Sequence, residues 1–232
     1  MNLLAIETAT ESCSVAVLAG ERLVARSELA PRRHAELVLP MCEAVLAEAG
    51  LSRRALDALA VGCGPGAFTG VRLAVSAAQG IALALAIPVV PVSSLAALAM
   101  QAPDDDAAIL AVIDARMGEL YAGAFRRGAD GLVEPIGEES VGTAEQLALP
   151  PAPAWNVVGS GWASYGDALT ARLPAPPRWV DGARYPQAVD VARLAAPLAR
   201  AGRGIAPERL QPVYLRDRVA LTLAEQRAGE RL

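Results

Sequence analysis

The chain has 232 residues, of which 53% are hydrophobic, and a formal net charge of −4. A chain of this size can bury a full core as one large domain or two small ones, and its acidic balance argues against a large basic surface for unaided nucleic-acid binding. All 21 basic residues are arginines, which excludes a Schiff-base lysine and the lysine of a Walker loop. The single histidine, His34, excludes a two-histidine metal site within the chain.

Three further features of the sequence predict where in the cell the protein is located. The cysteines Cys13, Cys42 and Cys63 have no CxxC spacing and are odd in number, which predicts reduced thiols in a cytosolic protein. The N-terminal stretch MNLLAIETAT has no basic region, so we do not expect a signal peptide. The uncharged run from Leu73 to Pro103 is long enough for a membrane span, but prolines and a glycine interrupt it. We therefore predict a buried helix, strand and helix there, and a cytoplasmic location.

Apolar patterning predicts a similar order of elements twice along the chain. Up to residue 104 it predicts strands at 3–8, 14–19, 22–29, 56–62 and 87–92 and helices at about 32–49, 69–85 and 93–101. Pro40 should kink or divide the first helix, and Thr69 should cap the second. From residue 105 it predicts strands at 108–115, 120–126, 131–136 and 154–161 and helices at about 143–149, 164–173 and 187–201. This order predicts an α/β chain of two related halves with mixed sheets, residues 1–104 and 105–232.

The glycine-rich stretch GCGPGAFTGVR, residues 62–72, raises the main functional question. Its glycines and the start of the following helix favour an anion such as phosphate. However, its spacing matches neither GxxxxGK[ST] nor GxGxxG, and the charge of Arg72 in the first helical turn opposes the helix dipole. The helix is apolar or small on nearly every side, so it must be covered all round, either by the fold itself or by a partner. These two alternatives stay open at this point.

Six stretches occur in order over nearly the whole chain: LLAIETATESCSVAV, RHAELVLP, GPGAFTGVRLA, VSSLAALA, IDARMGELYAGAF and PVYLR. In this order they resemble the bacterial TsaB family, the non-catalytic partner of TsaD in making threonylcarbamoyladenosine on tRNA. GPGAFTGVR is the most specific stretch, whereas the first is shared with the wider actin-like ATPase superfamily. The resemblance implies the actin-like ATPase fold of sugar kinases, Hsp70 and actin. Its second half would be degenerate, with a last segment that packs back on the first.

In active members of that superfamily the first hairpin wraps phosphates. The resemblance therefore implies a vestigial nucleotide site at Glu7, Thr8, Thr10, Ser12, Asp114, Gly159 and Gly161. Glu7 would stand where an acidic residue helps to hold the metal; the alternative is a strand-end carboxylate bonded to nearby N–H groups. Asp114 would act near the nucleotide; the alternative is a local ion pair with Arg116 that closes the turn. The stretch VVGSG would pack a base or ribose, or else form a tight turn that needs no ligand.

The resemblance also implies a scaffold subunit with no catalytic residue and no metal site. It would bind TsaD through the helices at about 32–49 and 69–85 and support threonylcarbamoyl transfer to adenosine 37 of tRNAs that read codons beginning with A. The expected anchors are Leu37, Val38, Met41, Val45, Thr69, Arg72, Val75, Ser76, Gln79 and Leu83. ATP or ADP with Mg would belong to the complex, which TsaE would join. Contact with tRNA would be indirect, and the free chain would form a homodimer with no membrane attachment.

Two other functional classes remain open. An active small-molecule kinase or ATPase of the same fold is favoured by Glu7, Asp114 and VVGSG, and it would hydrolyse ATP as a purified chain. A peptidase is the weaker alternative, because a single histidine on an apolar-patterned helix opposes a catalytic triad. Unchanged function in a His34→Ala variant would remove the peptidase alternative.

Overall fold

The structure is a computed structural model and describes residues 1–216. Its first sheet contains β1 (Asn2–Glu7), β2 (Ser12–Ala19), β3 (Arg22–Leu29), β4 (Ala58–Gly62) and β5 (Val89–Val92), in the order β3-β2-β1-β4-β5. β2 runs antiparallel to β1 and β3, whereas β4 is parallel to β1 and β5. β1 and β4 are buried almost throughout, which fits their unbroken apolar runs LLAI and ALAV. All five predicted strands of this half are confirmed.

Three helices accompany this sheet: α1 (His34–Ala49), α2 (Phe68–Leu85) and α3 (Ser94–Ala99). α1 and α2 cover the same face of the sheet and share one apolar core with it. α1 is not divided at Pro40; it continues to Gly50, whose left-handed φ of 70° ends it. The predicted Thr69 cap is wrong, because the chain is already helical at Phe68 and Ala67 occupies the N-cap position.

The uncharged run between residues 73 and 103 folds as the predicted helix, strand and helix. Within residues 1–216, α2 is the one helix that is long and apolar enough, by length and composition, to cross a membrane. One side of it packs into the core through Val71, Ala74, Val75, Ala78 and Ala82. At the start of α3, the Ser93 hydroxyl accepts the Ala96 N–H at 3.1 Å, so Ser93 caps this helix.

The second sheet repeats the strand order of the first. Its strands are β6 (Ala108–Arg116), β7 (Glu119–Arg127), β8 (Val133–Pro135), β9 (Ser140–Gly142), β10 (Trp155–Val158) and β11 (Trp179–Asp181). They lie in the order β11-β10-β6-β7-β8, with β9 also paired to β7. β7 is antiparallel to β6 and β8, and β10 is parallel to β6 and β11. Matching β6, β7, β8, β10 and β11 to β1, β2, β3, β4 and β5 therefore reproduces the first sheet strand for strand.

The helices of the second half are α4 (Gly161–Thr170) and α5 (Ala188–Arg200). The predicted helix at 143–149 is wrong: residues 144–146 form a turn, and Arg172 donates to the carbonyls of Ala144 and Leu147 at 2.8 and 2.9 Å. A distant side chain therefore binds carbonyls that a helix would have used. α4 begins earlier than predicted and departs from helical geometry at Tyr165. The sequence pattern does not predict β9 or β11, which have three residues each.

α5 and the chain after it lie against the first half. α5 packs on the face of the first sheet opposite to α1 and α2, where it meets Leu3, Ala5 and Ala60. Further on, Ile205 forms a β-bridge with Val89, so the chain just after α5 also contacts the first half. The division into 1–104 and 105–232 stays a prediction, and residues 217–232 of that second part lie outside the described residues.

Candidate functional site

Glu7 ends β1 in the interior of the molecule and has no exposed surface. Its Oε1 accepts the Ala9 N–H at 2.6 Å, and its Oε2 accepts the Ser94 hydroxyl at 2.8 Å. Burial raises the pKa of this carboxyl, and the hydrogen bonds offset part of that rise. A methyl group at Gly62 would lie 1.8 Å from Oε2, so Gly62 leaves the space that the carboxylate fills. The geometry therefore favours the strand-end carboxylate among the two interpretations of Glu7.

The three hydroxyl side chains of the first hairpin have different surroundings. Thr8 donates to the Gly70 carbonyl at 2.7 Å, and the hydroxyls of Ser12 and Ser27 lie 3.1 Å apart. The Thr10 hydroxyl is buried and has no hydrogen-bond partner among the described residues. The hydroxyls of Thr8 and Ser12 thus form hydrogen bonds within the fold. Thr10 is the one of the three residues that lines a cavity between the two halves.

The glycine-rich loop before α2 is pressed against the first hairpin. The Ala67 N–H donates to the Ala9 carbonyl at 2.7 Å. A Cβ at Gly66 would lie 2.3 Å from the Ala9 carbonyl oxygen, and one at Gly70 would lie 2.1 Å from the Thr8 carbonyl oxygen. These glycines therefore allow one stretch of backbone to contact another. The loop serves packing in this structure, and the first turn of α2 docks on the chain's own hairpin.

A cavity of about 540 Å³ lies between the two halves, lined by residues 9–11, the first turn of α2, the end of β6 and residues 213–216. Asp114 accepts the Arg116 N–H at 2.8 Å and the Arg116 guanidinium at 3.1 Å. These contacts close the β6–β7 turn, as the local ion-pair interpretation of Asp114 predicts. The same guanidinium reaches Glu11 of the first hairpin at 2.8 Å.

Two more guanidinium groups in the cavity wall bind the chain itself. Arg72 lies over the ring of Phe68, 3.6 Å from its centroid, and donates through Nε to the Tyr214 hydroxyl at 2.6 Å. Arg216 donates to a main-chain carbonyl of β6 at 3.0 Å and to the Glu119 carboxylate. The aromatic contacts explain how a cation is accommodated in the first turn of α2. Among the described residues, each arginine in the cavity wall thus already donates a hydrogen bond to another group of the chain.

VVGSG is packed tightly against the second sheet. A Cβ at Gly159 would lie 2.2 Å from the Val112 carbonyl oxygen, and one at Gly161 would lie 2.4 Å from Leu120 Cδ2. Both glycines are buried, and Gly159 has a φ of 113°. The turn before α4 therefore needs glycine for close packing, which favours the interpretation without a ligand.

The ten predicted partner anchors fall into two groups. Val38, Met41, Val45 and Val75 are buried in the chain's own core, so these side chains are not available at its surface. Steps of three and four along a helix mark the stripe that faces its own sheet, which is why the pattern selected core residues. The exposed or half-buried anchors are Leu37, Thr69, Arg72, Ser76, Gln79 and Leu83. Whether they bind a partner stays a prediction.

On the exposed face of α1 and α2 the sequence prediction included Leu83 but missed Leu39 and Phe68. Leu39 and Leu83 are each 51% exposed, and Phe68 is 48% exposed. A groove of about 500 Å³ between the two helices is lined by Leu39 together with the small residues Gly80 and Ala84. The signal for Leu39 was available, because this leucine directly follows Val38 of the buried stripe and so lies beside the face that packs on the sheet. We call this surface the α1–α2 face, defined by Leu39, Gly80, Leu83 and Ala84.

Known proteins are similar in sequence to this chain over most of its length. The family model described as TsaD, tRNA N6-adenosine threonylcarbamoyltransferase, matches residues 26–208. The tRNA threonylcarbamoyladenosine biosynthesis protein TsaB of Escherichia coli is 38% identical over 231 residues, which cover 95% of this chain and 96% of that protein. The chain belongs to the TsaB family. The TsaB protein of Haemophilus influenzae is 36% identical over 232 residues, with 94% and 95% covered.

A solved structure shares the fold as well. YeaZ from Pseudomonas aeruginosa matches with a TM-score of 0.85 and 41% identity, covering 92% of this chain and 99% of that one. The family expected from the six sequence stretches is therefore confirmed for this TsaB-family chain. The expected fold class, the actin-like ATPase fold with two mixed sheets, is confirmed with it.

Proposed function

We propose that this TsaB-family chain is a subunit of the machinery that makes threonylcarbamoyladenosine on tRNA, and that it works by binding a TsaD-type partner. It supports threonylcarbamoyl transfer to adenosine 37 of tRNAs that read codons beginning with A, and it supplies no catalytic group itself. The proposal rests on the match to TsaB of Escherichia coli over 95% of this chain. The cytoplasm, where tRNA is modified, is the compartment we propose for it.

The α1–α2 face is the surface that we propose for TsaD. Leu39 and Leu83 leave half of their apolar surface in water, and covering it would stabilise a complex. Gly80 and Ala84 lie in the groove beside them and have few side-chain rotamers to lose on binding. When TsaD is absent, the same face pairs with a second copy as a two-fold homodimer.

We propose further that this chain alone holds neither nucleotide nor metal, and that ATP or ADP with Mg acts in the complex. Two observations support this: the Glu7 carboxylate is already bonded to Ala9 and Ser94, and the arginines of the cavity wall are bonded within the chain. TsaE and tRNA would join through the TsaD-type partner. Calorimetry with ADP and Mg should give no binding heat for the isolated chain, and micromolar binding would contradict this part of the proposal.

The thiols and the histidine support a non-catalytic role over a peptidase. Burial raises the pKa of Cys13 to about 11 and the pKa values of Cys42 and Cys63 to about 12, so at neutral pH these thiols stay protonated and poorly nucleophilic. The Nε2 atom of His34 is buried, and none of the described residues forms a hydrogen bond with it. A serine or cysteine nucleophile would need such a bond to its base.

Complex formation with the TsaD protein of the same organism tests the proposed function. Size-exclusion chromatography with light scattering should show a heterodimer for the native chain and none for Leu39→Arg or Leu83→Arg. Met117→Arg is the matched control: Met117 is 85% exposed on the β6–β7 turn, so the same substitution there should leave the heterodimer intact.

Circular dichroism must show that each arginine variant is folded. If the native chain forms no heterodimer, the subunit role is wrong. If both variants of the α1–α2 face still form it, the subunit role stands but the proposed surface is wrong. Threonylcarbamoyladenosine formation in the reconstituted system should be lost with the heterodimer.

A further inference from the structure

The two halves face each other with equivalent hairpins. Because β6 and β7 correspond to β1 and β2 in the repeated strand order, the β6–β7 turn is the counterpart of the β1–β2 turn. Residues 9–11 of the first hairpin and 114–116 of the second line the same cavity. A side chain that bonds to both hairpins therefore helps to hold the two halves together.

Arg116 joins them. Its Nη2 lies 2.8 Å from Glu11 Oε1, and its Nη1 lies 3.1 Å from Asp114 Oδ2. The other Asp114 oxygen, Oδ1, accepts the main-chain N–H of Arg116 at 2.8 Å. Asp114 thus holds Arg116 at both its backbone and its guanidinium, and the free edge of the guanidinium contacts Glu11. One cation lies between a carboxylate of each half.

The backbone at Arg116 has an unusual conformation that suits this role. Arg116 and Met117 have φ values of 63° and 58°, which non-glycine residues rarely adopt, and Gly118 follows with 81°. The pairing of β6 with β7 shifts register between Asp114 and Arg116. A bulge of this kind redirects a side chain from the alternation of its strand. The residue with the strained backbone is therefore the one whose side chain reaches the other half.

A second arginine, on the C-terminal segment, binds the same hairpin of the second half. The Val213 N–H donates to the Cys63 carbonyl of the first half at 2.8 Å, so the C-terminal segment is anchored there. Three residues later, Arg216 donates to the Ala115 carbonyl at 3.0 Å and to Glu119 of the second half. The C-terminal segment therefore connects the first half to the hairpin that carries Arg116.

We propose that Arg116 bridges a carboxylate of each half and so clamps the two halves together across the cavity, with Arg216 as a second contact made by the C-terminal segment. The Arg116 side chain is 71% exposed and that of Glu11 is 36% exposed, so solvent screens the pair and the clamp is weak and reversible. Releasing it frees both hairpins and widens the cavity. This inference concerns the isolated chain and does not rest on the proposed function.

Hydrogen–deuterium exchange of the full-length protein tests the clamp. Arg116→Gln and Glu11→Gln each remove one charge and keep a polar side chain. We expect each variant to speed amide exchange about two- to fivefold at residues 7–13 and at 112–120, because an exposed ion pair opposes local opening by about this factor. The double variant should exchange no faster than the single ones, since all of them remove the same contact.

Arg126→Gln is the matched control, because Arg126 is also largely exposed and pairs with Glu134 at 2.9 Å within the second sheet. It should leave exchange at residues 7–13 unchanged. The clamp is wrong if Arg116→Gln speeds exchange only in its own hairpin, or if the two single effects add in the double variant. Glu11→Gln keeps the test decisive if Arg116→Gln fails to fold: its effect must then appear across the cavity at 112–120.

Discussion

Gly62→Ala tests the packing around Glu7. The new Cβ would lie 1.8 Å from Glu7 Oε2 and 2.5 Å from its Cδ, where ordinary contact begins at 3.4 Å. The carboxylate cannot move aside easily, because it is fully buried and bonded to Ala9 and Ser94. Overpacking costs about 1–3 kcal/mol, and loss of buried hydrogen bonds adds about 1–3 kcal/mol. We therefore expect Gly62→Ala to lower the free energy of unfolding by about 2–6 kcal/mol.

Urea unfolding followed by far-ultraviolet circular dichroism measures this loss. The control is Gly80→Ala in α2, where an added Cβ meets nothing within 4 Å in the described part of the chain. It should raise the free energy of unfolding by about 0.5–1 kcal/mol, because alanine favours a helix more than glycine does. The double variant Glu7→Ala, Gly62→Ala should lose less than the sum of its single variants, because the methyl group then enters vacated space. A loss under about 1 kcal/mol for Gly62→Ala, or strict additivity in the double variant, would refute the argument.

Three further outcomes follow from buried or half-buried polar groups. Burial raises the pKa of Asp190 from 3.8 to about 6, so this group's contribution to stability is largest at low pH and is lost as pH rises from about 4 to 6. Relative to the native chain, Asp190→Asn should therefore be more stable at pH 7 than at pH 4 by up to about 3 kcal/mol in urea unfolding; equal differences at both pH values would contradict this. Cys13, Cys42 and Cys63 should resist iodoacetamide at pH 8 until urea unfolds the chain, as mass spectrometry would show; rapid labelling of native protein would be the contrary result. Gln79→Ala removes hydrogen bonds of 3.1 and 3.0 Å to the carbonyls of Pro207 and Leu210. It should lower the free energy of unfolding by about 1–2 kcal/mol and speed amide exchange at residues 205–213. Unchanged exchange there would show that these bonds do not anchor the segment.

The regular elements were predictable where the pattern was long. LLAI in β1 and ALAV in β4 are short apolar runs typical of a central strand, and α1 has a clear period of three and four. The stretch TAEQLAL at 143–149 has helical propensity, but Arg172 binds its carbonyls instead. The sequence of 143–149 gives no sign that an arginine about 25 residues later will bind these carbonyls.

The sequence predicted where the residues of the candidate site lie along the chain, but not which groups surround them. Glu7 ends its strand as expected, whereas its burial depends on Gly62 and on Ser94, which lies 87 residues along the chain. The contact between Glu11 and Arg116 spans 105 residues, and neither residue forms part of a local motif that predicts the other. Such pairs exist because the repeated halves place their hairpins opposite each other, and only the assembled fold creates that proximity.

The order of synthesis and the order of packing disagree in this chain. α5 covers one face of the first sheet, yet the ribosome reaches it roughly 100 residues after β5, about 5–20 s later at ordinary rates of translation. Until then the face with Leu3, Ala5 and Ala60 lacks α5, the helix that packs on it with Ala188, Val191, Ala192 and Ala195. A nascent chain or fragment that stops at residue 104 therefore presents this face to water, to chaperones and to other unfinished chains.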